Sequence, residues 1–372
     1  MVMMTAAVAM QAGERFDVAE VELDEPRDDE VLVRILAVGI CHTDINALNQ
    51  RLPVPLPMIL GHEGAGVVER VGSRVTAVKP GDRVIIVPDF CGRCTQCRLG
   101  HTAYCERAGV LVFGGTRLDG STKASRDGLP VRAGFFGQSS FAEFSLVTER
   151  NIIKVDAAAP LEHLAALTCG VNAGAGAVLN TLQPEPSHSI AIFGVGTVGL
   201  AAIAAAKMRG ARTIIAIDRF DSRLELAREF GATHVINTAS TPDAVAEITA
   251  IVPGGVDRAF DSTGVKDVIL QAIYSLGYHG VFGYVTGTGG VPLDLDLNRI
   301  LTKGVTIRGI MGGDGTGLVF LRELVQHFEE GRLPIDRLVR TYRLAEINDA
   351  LDDMRSGVTI KPVLVFDEPK QA

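Results

Sequence analysis

Four of the six cysteines fall within fifteen residues, in the segment CGRCTQCRLGHTAYC. Cys91, Cys94, Cys97 and Cys105 have the spacing C-x2-C-x2-C-x7-C, and four thiolates around one ion form a closed tetrahedral site that suits structural zinc. Ferredoxin iron–sulfur motifs begin alike but end C-x3-C-P, whereas here the last gap is seven and no proline follows. A nucleic-acid zinc ribbon would need more basic residues than this segment has. The spacing predicts a structural-zinc lobe at 91–105.

The other two cysteines are widely separated along the chain. Cys41 lies in GICHTD, His62 and Glu63 lie in GHE, and Cys169 lies in LTCG. Singly, each has an ordinary reading as a buried core residue. Together, two thiolates and one imidazole are the ligand set of a catalytic zinc site whose fourth position stays open. We therefore predict two Zn²⁺ per chain, one structural and one catalytic.

A glycine-rich turn predicts a dinucleotide site. IAIFGVGTVGLAAIAAA places Gly194, Gly196 and Gly199 as G-x-G-x-x-G between a strand and a helix. The glycines permit the turn, the approach of a pyrophosphate and close helix packing. Thr197 and Val198 begin the helix, whose free N–H groups face the anion.

An acidic residue follows at the expected distance. The next strand, TIIAID, ends in Asp218, nineteen residues after Gly199. There a carboxylate would accept hydrogen bonds from the adenosine ribose and would repel a 2′-phosphate. Arg219 weakens this preference without reversing it, and a helix-capping acid is the alternative reading. We predict NAD as cofactor, with NADP less favoured.

The chain is long enough for two domains, and the motifs lie in regions with different secondary-structure patterns. Its 372 residues exceed the size of a single core. The first 155 or so residues read as β-rich, and beyond residue 165 strands alternate with helices, which predicts parallel βαβ units. We expect an α/β protein with a doubly wound parallel sheet domain, 171–307, inserted into a β-rich domain formed by 1–170 and 308–372.

Composition limits the partners. The net charge is −8, without a basic cluster, which argues against nucleic acid and anionic membranes. The N-terminus lacks a positively charged n-region, so the cysteines are expected to be reduced in the cytoplasm rather than paired in a secreted disulfide framework. The charge-free run Ile190–Ala206 falls short of a membrane span and predicts a buried strand–turn–helix.

These motifs, in this order, resemble the zinc-dependent medium-chain alcohol dehydrogenases along essentially the whole chain. PVPLPMILGHEGAGVVERVG, FFGQSSFAEF, RLELAREFGATHVIN and GVTIKPVL look most like the aryl-alcohol (benzyl alcohol) dehydrogenase branch. The resemblance implies a Rossmann domain plus a GroES-like catalytic domain. It also implies oxidation of a primary, aryl- or benzyl-type alcohol to its aldehyde by hydride transfer to NAD, and the reverse.

The resemblance also implies roles at the metal centre. Cys41, His62 and Cys169 would bind catalytic zinc, with Glu63 as an auxiliary or transient ligand. Asp44 would orient His62 through its second ring nitrogen.

It further implies roles in proton transfer and cofactor binding. Thr43 would bind the substrate hydroxyl and begin a proton relay, while His42 and Lys361 would contact the cofactor pyrophosphate. Many relatives end the relay at a histidine where this chain has Asn46, which cannot titrate. The proton is then expected to leave through the cofactor ribose to water, aided by His42.

Rival functions remain at this point. A thiol-adduct formaldehyde dehydrogenase or a polyol dehydrogenase would use the same machinery. The ligand trio disfavours a zinc-free quinone or enoyl reductase. A non-enzymatic zinc-binding interaction module is a third alternative, which failure to bind NAD would favour. The family further implies a homo-oligomer paired at HGVFGYVT and GVTIRGIM. The long loop from Gly114 to Gly137 favours a dimer, with a tetramer open.

Overall fold

The computed structural model describes residues 1–315 and 317–368 and divides the chain into two compact units. The first unit contains Met1–Cys169, a later segment ending at Val325 and another beginning at Ile335. The second contains Gly170–Gly315 and Gln326–Pro334. The sequence placed the end of this second domain at 307, which is too early because 307 falls inside the last strand of its sheet.

The elements are named here in chain order. The strands are β1 (Val2–Ala9), β2 (Asp17–Leu23), β3 (Glu30–Gly39), β4 (Met58–Ile59), β5 (Gly64–Val71), β6 (Arg83–Ile86), β7 (Ala124–Arg126), β8 (Leu129–Val131), β9 (Phe144–Thr148), β10 (Ile152–Lys154), β11 (Ser189–Phe193), β12 (Thr213–Asp218), β13 (His234–Asn237), β14 (Val256–Asp261), β15 (Leu276–Tyr284), β16 (Thr306–Gly309), β17 (Val339–Arg343) and β18 (Lys361–Val365). The α-helices are α1 (His42–Leu48), α2 (Thr95–Arg98), α3 (Ala108–Leu111), α4 (Leu161–Leu164), α5 (Gly170–Gly176), α6 (Thr197–Met208), α7 (Asp221–Phe230), α8 (Ala244–Ile251), α9 (Lys266–Tyr274), α10 (Leu297–Lys303), α11 (Gly317–Glu329) and α12 (Ile347–Ser356).

Two largely antiparallel sheets build the first unit. One has the order β4-β1-β2-β7-β8, and the other has the order β10-β6-β5-β3-β18-β17, with β9 also paired to β3. The apolar strand β3 is buried at nine of its ten positions because neighbouring strands and side chains cover it. The late strand β18 pairs antiparallel with β3, so the C-terminal segment belongs to this unit.

The segment from Gly114 to Gly137 is not the uninterrupted loop that the sequence suggested. It contains the short strands β7 and β8, which pair with each other and extend the sheet of β1 and β2. Each of these strands has three residues, too few for an alternating pattern to identify them.

A six-stranded parallel sheet forms the second unit, in the order β13-β12-β11-β14-β15-β16. Strand β11 is buried at every position, as expected for a parallel sheet covered by helices on both faces. Numbered from its first strand, the order is 3-2-1-4-5-6, which is that of dinucleotide-binding folds. The predicted fold class, a doubly wound sheet with a β-rich GroES-like domain, is confirmed.

The helices were searched for a segment long and apolar enough to span a membrane. Across residues 1–315 and 317–368, no single helix is both long and apolar enough to cross a membrane. One pair of helices, Leu161–Thr168 and Gly170–Leu182, would be long and apolar enough for a membrane span when counted together, but the pair is bent by 57° at the break between them.

Candidate catalytic metal centre and dinucleotide site

One buried carboxylate organises the predicted catalytic centre in the first unit. Helix α1 begins directly after Cys41. Asp44 lies in its first turn and is fully buried. Its Oδ2 accepts the backbone N–H of Cys41 at 2.9 Å, and its Oδ1 accepts that of Gly61 at 3.1 Å. The same Oδ1 lies 2.9 Å from Nδ1 of His62. Asp44 therefore fixes the imidazole, leaving Nε2 as the atom able to bind a metal.

The three predicted ligands converge. Sγ of Cys41 and Sγ of Cys169 are 3.8 Å apart, and Nε2 of His62 is 3.2 Å from Sγ of Cys169. One ligand atom from each, together with a carboxylate oxygen of Glu63, lies within 4.8 Å of every other. Zinc–sulfur bonds of about 2.3 Å at a tetrahedral angle put two sulfurs roughly 3.8 Å apart. The spacing therefore fits a zinc ion.

The hydrogen bond between the two sulfurs shifts their pKa values in opposite directions. The hydrogen bond from Cys169 lowers the pKa of Cys41 well below that of an ordinary thiol. The same interaction, reinforced by burial, raises the pKa of Cys169. A zinc ion would bind both sulfurs as thiolates and displace their protons.

Glu63 is paired with a buried lysine. The Lys361 side chain is almost completely buried from solvent. Its Nζ contacts the Glu63 carboxylate and donates a 3.1 Å hydrogen bond to the carbonyl oxygen of Ile40. Burial raises the pKa of Glu63 to about 7, although Lys361 acts in the opposite direction. Oε1 of Glu63 accepts no hydrogen bond from the described residues, which leaves it available to a metal. The predicted contact of Lys361 with a pyrophosphate stays a prediction.

Three further predicted residues lie on helix α1. The Thr43 hydroxyl oxygen is 3.6 Å from Sγ of Cys41, so it adjoins the ligand set. The His42 side chain is exposed and Asn46 is half-buried. The placement of Thr43 suits its predicted contact with a substrate hydroxyl.

The glycine-rich turn forms the predicted dinucleotide site in the second unit. It joins β11 to α6, whose N-cap is Gly196. A Cβ on Gly199 would lie 1.8 Å from the carbonyl oxygen of Gly194, so this contact excludes a side chain. A Cβ on Gly196 would meet no described atom within 4 Å, which leaves open space at the helix N-terminus. These features fit a pyrophosphate.

Asp218 ties that turn to the next strand. Its Oδ2 accepts the N–H of Val195 at 2.7 Å, and its Oδ1 accepts those of Arg219 at 2.7 Å and Phe220 at 3.1 Å. A carboxylate offers about four acceptor positions. Capacity therefore remains for a ribose hydroxyl at the predicted place.

The four clustered cysteines also converge. Their sulfurs all lie within 4.8 Å of one another, and those of Cys91 and Cys97 are 3.9 Å apart. Backbone N–H groups point at the sulfurs, including that of Cys94 at 3.3 Å from Sγ of Cys91. Burial raises the pKa of Cys91, but such N–H donors outweigh it and bring the value to about 6. The lobe fits one structural zinc.

Comparison with known proteins identifies the family. Residues 27–157 match the alcohol dehydrogenase GroES-like domain, and residues 197–328 match the zinc-binding dehydrogenase domain. A geraniol dehydrogenase from Castellaniella defragrans is 42% identical over 97% of both chains. The chain belongs to the zinc-dependent alcohol dehydrogenases. It is therefore an oxidoreductase acting on CH–OH groups.

Two further relatives of this alcohol dehydrogenase are informative. An S-(hydroxymethyl)glutathione dehydrogenase from Escherichia coli O6:H1 is 36% identical over 97% of this chain and 99% of its own. The crystal structure of benzyl alcohol dehydrogenase from Acinetobacter calcoaceticus superposes with a TM-score of 0.94, at 41% identity, over 99% of this chain and all of that one.

Sequence reasoning missed an aromatic cluster at the predicted catalytic centre of the dehydrogenase. The ring centroid of Phe136 lies 4.5 Å from that of His62, and Phe113 meets Phe136 edge-on at 5.7 Å. Phe136 is half-buried and has a backbone φ of 53°, which is rare for a bulky residue. In the sequence, Phe136 lies in the FFG run, which indicated only a resemblance to the family and not a contact with His62.

The lobe makes a testable prediction for this dehydrogenase. Replacing Cys97 with serine should remove the structural zinc and lower the free energy of unfolding by at least about 2 kcal/mol, since the short lobe has little core of its own. Metal analysis and denaturant unfolding measure both effects. Thr95→Ser, an exposed change in the same lobe, should match wild type. Two zinc ions retained in Cys97→Ser would contradict the assignment.

Proposed function

We propose that the enzyme oxidises primary alcohols whose carbinol carbon adjoins a flat, unsaturated carbon, with NAD as acceptor, and catalyses the reverse reduction. The observation that carries this proposal is the half-buried Phe136 ring against His62 in the predicted catalytic ligand set. Geraniol and benzyl alcohol, named in two relatives, are an allylic and a benzylic primary alcohol. Their shared feature is the conjugated group next to the carbinol.

The residues of the first unit divide the work of the reaction. A bound zinc ion would polarise the alcohol oxygen and ease loss of its proton. Asp44 keeps His62 in one orientation through the 2.9 Å contact at Nδ1. The Thr43 hydroxyl would accept the proton of the substrate hydroxyl. Because Asn46 cannot titrate, that proton would pass through the cofactor ribose to water, aided by His42, rather than to the side chain at position 46.

The Phe136 ring is held in place by its backbone. The N–H of Phe136 donates to the carbonyl of Val112 at 2.7 Å, and its carbonyl accepts from Asp89 at 3.1 Å. Buried Lys123 donates to the carbonyl of Gly137 at 3.1 Å. A fixed ring binds a second flat group with less loss of conformational freedom than a mobile one. Phe136 and Phe113 would therefore favour aromatic or allylic substrates.

The cofactor assignment depends on Asp218. Its remaining acceptor capacity favours the unphosphorylated ribose of NAD, while the N-terminus of α6 would receive the pyrophosphate. The exposed His42 would contact the cofactor, as the resemblance implies.

A substrate panel tests the proposed function. Benzyl alcohol and cyclohexylmethanol have equal carbon counts but differ in planarity. We expect kcat/KM to favour benzyl alcohol by about two- to tenfold, because favourable aromatic pairs contribute about 0.5–1.5 kcal/mol beyond area burial. Phe136→Leu should reduce this ratio to near unity. Phe144→Leu, a half-buried ring change whose ring packs on Arg34, is the matched control and should preserve it.

The same panel distinguishes the rival substrates. Higher kcat/KM with S-(hydroxymethyl)glutathione or sorbitol than with benzyl alcohol and geraniol would overturn the proposal. An unchanged benzyl-to-cyclohexylmethyl ratio in Phe136→Leu would refute the role of that ring. Each alcohol is measured with NAD and with NADP on zinc-loaded enzyme.

We also propose a cytoplasmic homodimer paired through β16. Strand β16 is the edge of its sheet and is exposed at all four positions. Nearby, Leu297 and Leu301 of α10 are 72% and 78% exposed. HGVFGYVT, in contrast, lies mostly in β15, which has a neighbour on both sides and offers no free edge. A tetramer remains the alternative.

A further inference from the structure

The predicted structural-zinc lobe is joined on both of its flanks to the backbone of Phe136. Asp89 lies just before Cys91, the first cysteine of the lobe, and donates its N–H to the carbonyl of Phe136 at 3.1 Å. Val112 lies beyond Cys105, the last cysteine of the lobe, and accepts the N–H of Phe136 at 2.7 Å. Both hydrogen-bonding groups of the Phe136 backbone are therefore bound by residues that flank the lobe.

The lobe brings these two flanks close to each other. The N–H of Cys91 lies 3.3 Å from Sγ of Cys105, so the first and last predicted ligands are adjacent. A helical segment continues from there, because Ala108 donates to the Cys105 carbonyl at 2.9 Å and Val112 donates to the Ala108 carbonyl at 2.8 Å. The separation of the two flanks therefore depends on closure of the lobe around its four sulfurs, which a bound zinc ion would fix.

An ion pair fixes the flank that precedes the lobe. The buried Asp89 carboxylate accepts Nε of Arg150 at 2.9 Å on one oxygen and Nη2 at 3.0 Å on the other, and such two-pronged pairs are strong and directional. Nε of Arg150 also donates to the carbonyl of Phe90. A Cβ on Gly137 would lie 2.3 Å from Cβ of Asp89, so the turn that carries Phe136 lies directly against Asp89. A displacement of Asp89 would therefore displace this turn.

The conformation of Phe136 depends on such support. Its backbone φ of 53° lies in the left-handed region, which a bulky residue rarely adopts and keeps only where its surroundings hold it. If either hydrogen bond were lost, the backbone would relax and the ring would leave its place 4.5 Å from the His62 ring. Phe113, which follows Val112, also packs edge-on against the Phe136 ring. The flank that follows the lobe therefore contacts both the backbone and the side chain of Phe136.

We propose that the structural-zinc lobe determines the selectivity of the enzyme for flat alcohols, by holding Phe136 against His62 from both flanks, with Asp89 and Arg150 as positioning residues. The inference rests on the proposed function, in which the Phe136 ring favours conjugated substrates. It deepens that function by giving the lobe a role in the choice of substrate in addition to its role in stability.

A tryptophan reporter tests the hold on residue 136 without any substrate. The chain contains no tryptophan, so Phe136→Trp introduces a single fluorophore at this half-buried position. Adding Arg150→Gln or Cys97→Ser should raise the acrylamide quenching constant of this tryptophan and lower its fluorescence anisotropy, because one flank then moves more freely. Arg34→Gln is the matched control, since it removes another half-buried arginine, paired with Glu69, and should change neither value.

Substrate selectivity is measured in the same variants with Phe136 intact. Arg150→Gln and Cys97→Ser should reduce the expected preference for benzyl alcohol over cyclohexylmethanol, about two- to tenfold in kcat/KM, to near unity. The change should appear mainly as a higher KM for benzyl alcohol, on enzyme shown by metal analysis to keep one zinc ion. A general loss of folded enzyme would lower both rates alike and leave their ratio unchanged. Arg34→Gln should preserve the ratio.

The proposal would be overturned by unchanged quenching and anisotropy in both variants, or by an unchanged substrate ratio in both. If neither variant folds, Arg150→Lys, which keeps the charge but not the two parallel contacts, should show the same shifts to a smaller extent, and their absence there would also overturn it. A wild-type ratio near unity would instead contradict the proposed function. The tryptophan readout distinguishes the two failures, because it reports the hold on residue 136 whichever alcohol is preferred.

Discussion

A Cys169→Ser enzyme should fold, carry one zinc ion instead of two and oxidise benzyl alcohol with kcat/KM reduced by at least about a thousandfold. The Cys169 sulfur contacts both other predicted ligands, at 3.8 Å from Cys41 and 3.2 Å from His62. Serine is nearly isosteric, so the packing should survive while the ion is lost. The rate loss follows because Lewis-acid catalysis contributes several kcal/mol to the barrier.

Metal analysis, circular dichroism and steady-state kinetics measure these three effects. Cys41→Ser should reproduce them because it removes another ligand of the same ion. The contrast is Cys97→Ser, which should lose the other zinc and lower stability. Two zinc ions per chain in Cys169→Ser, or near-normal turnover, would refute the assignment of Cys169 as a catalytic ligand.

Replacing Lys361 with methionine should lower the free energy of unfolding by about 1.4 kcal/mol more at pH 8 than at pH 5, because it leaves the Glu63 carboxylate buried without its cation. Without Lys361, the pKa of Glu63, already about 7 in wild type, should rise further. The folded variant then holds a proton that the unfolded chain releases, so its stability falls as the pH rises through that higher pKa. The deficit relative to wild type should therefore grow from pH 5 to pH 8.5.

Urea unfolding across this pH range, on protein from which zinc has been removed, tests the prediction. Adding Glu63→Gln to Lys361→Met should recover much of the loss at pH 8, because no charge is then stranded. Lys79→Met removes an exposed cation and should change stability by less than about 0.5 kcal/mol. A pH-independent deficit in Lys361→Met would indicate lost packing instead of a stranded carboxylate.

Residue chemistry explains why the candidate centres could be predicted. Zinc accepts few ligand types, so Cys41, His62 and Cys169 were identifiable although they are far apart in sequence. Phe136 was not, because a phenylalanine in an apolar run has no distinguishing signal until its contact with His62 is known. The pairing of Lys361 with Glu63 likewise joins two segments that are far apart in sequence and meet only in the fold.

The fold was likewise predictable only where the sequence pattern is distinctive. Strands such as β11 and β12 were predicted because buried parallel strands are continuous apolar runs. The hairpin of β7 and β8 was missed because three-residue strands carry too little periodicity. The end of the second unit was misplaced because the exposed strand β16 has no buried face to mark it.

The three contacts of Asp44 have a consequence for how the two predicted metal ions would be acquired. By binding Cys41, Gly61 and His62 at once, this carboxylate preorganises the centre before any ion arrives. Such a vacated centre should be refillable, for example by cobalt, without refolding. The lobe has four thiols on one short segment, so its ion is expected to be incorporated during folding and to exchange slowly afterwards.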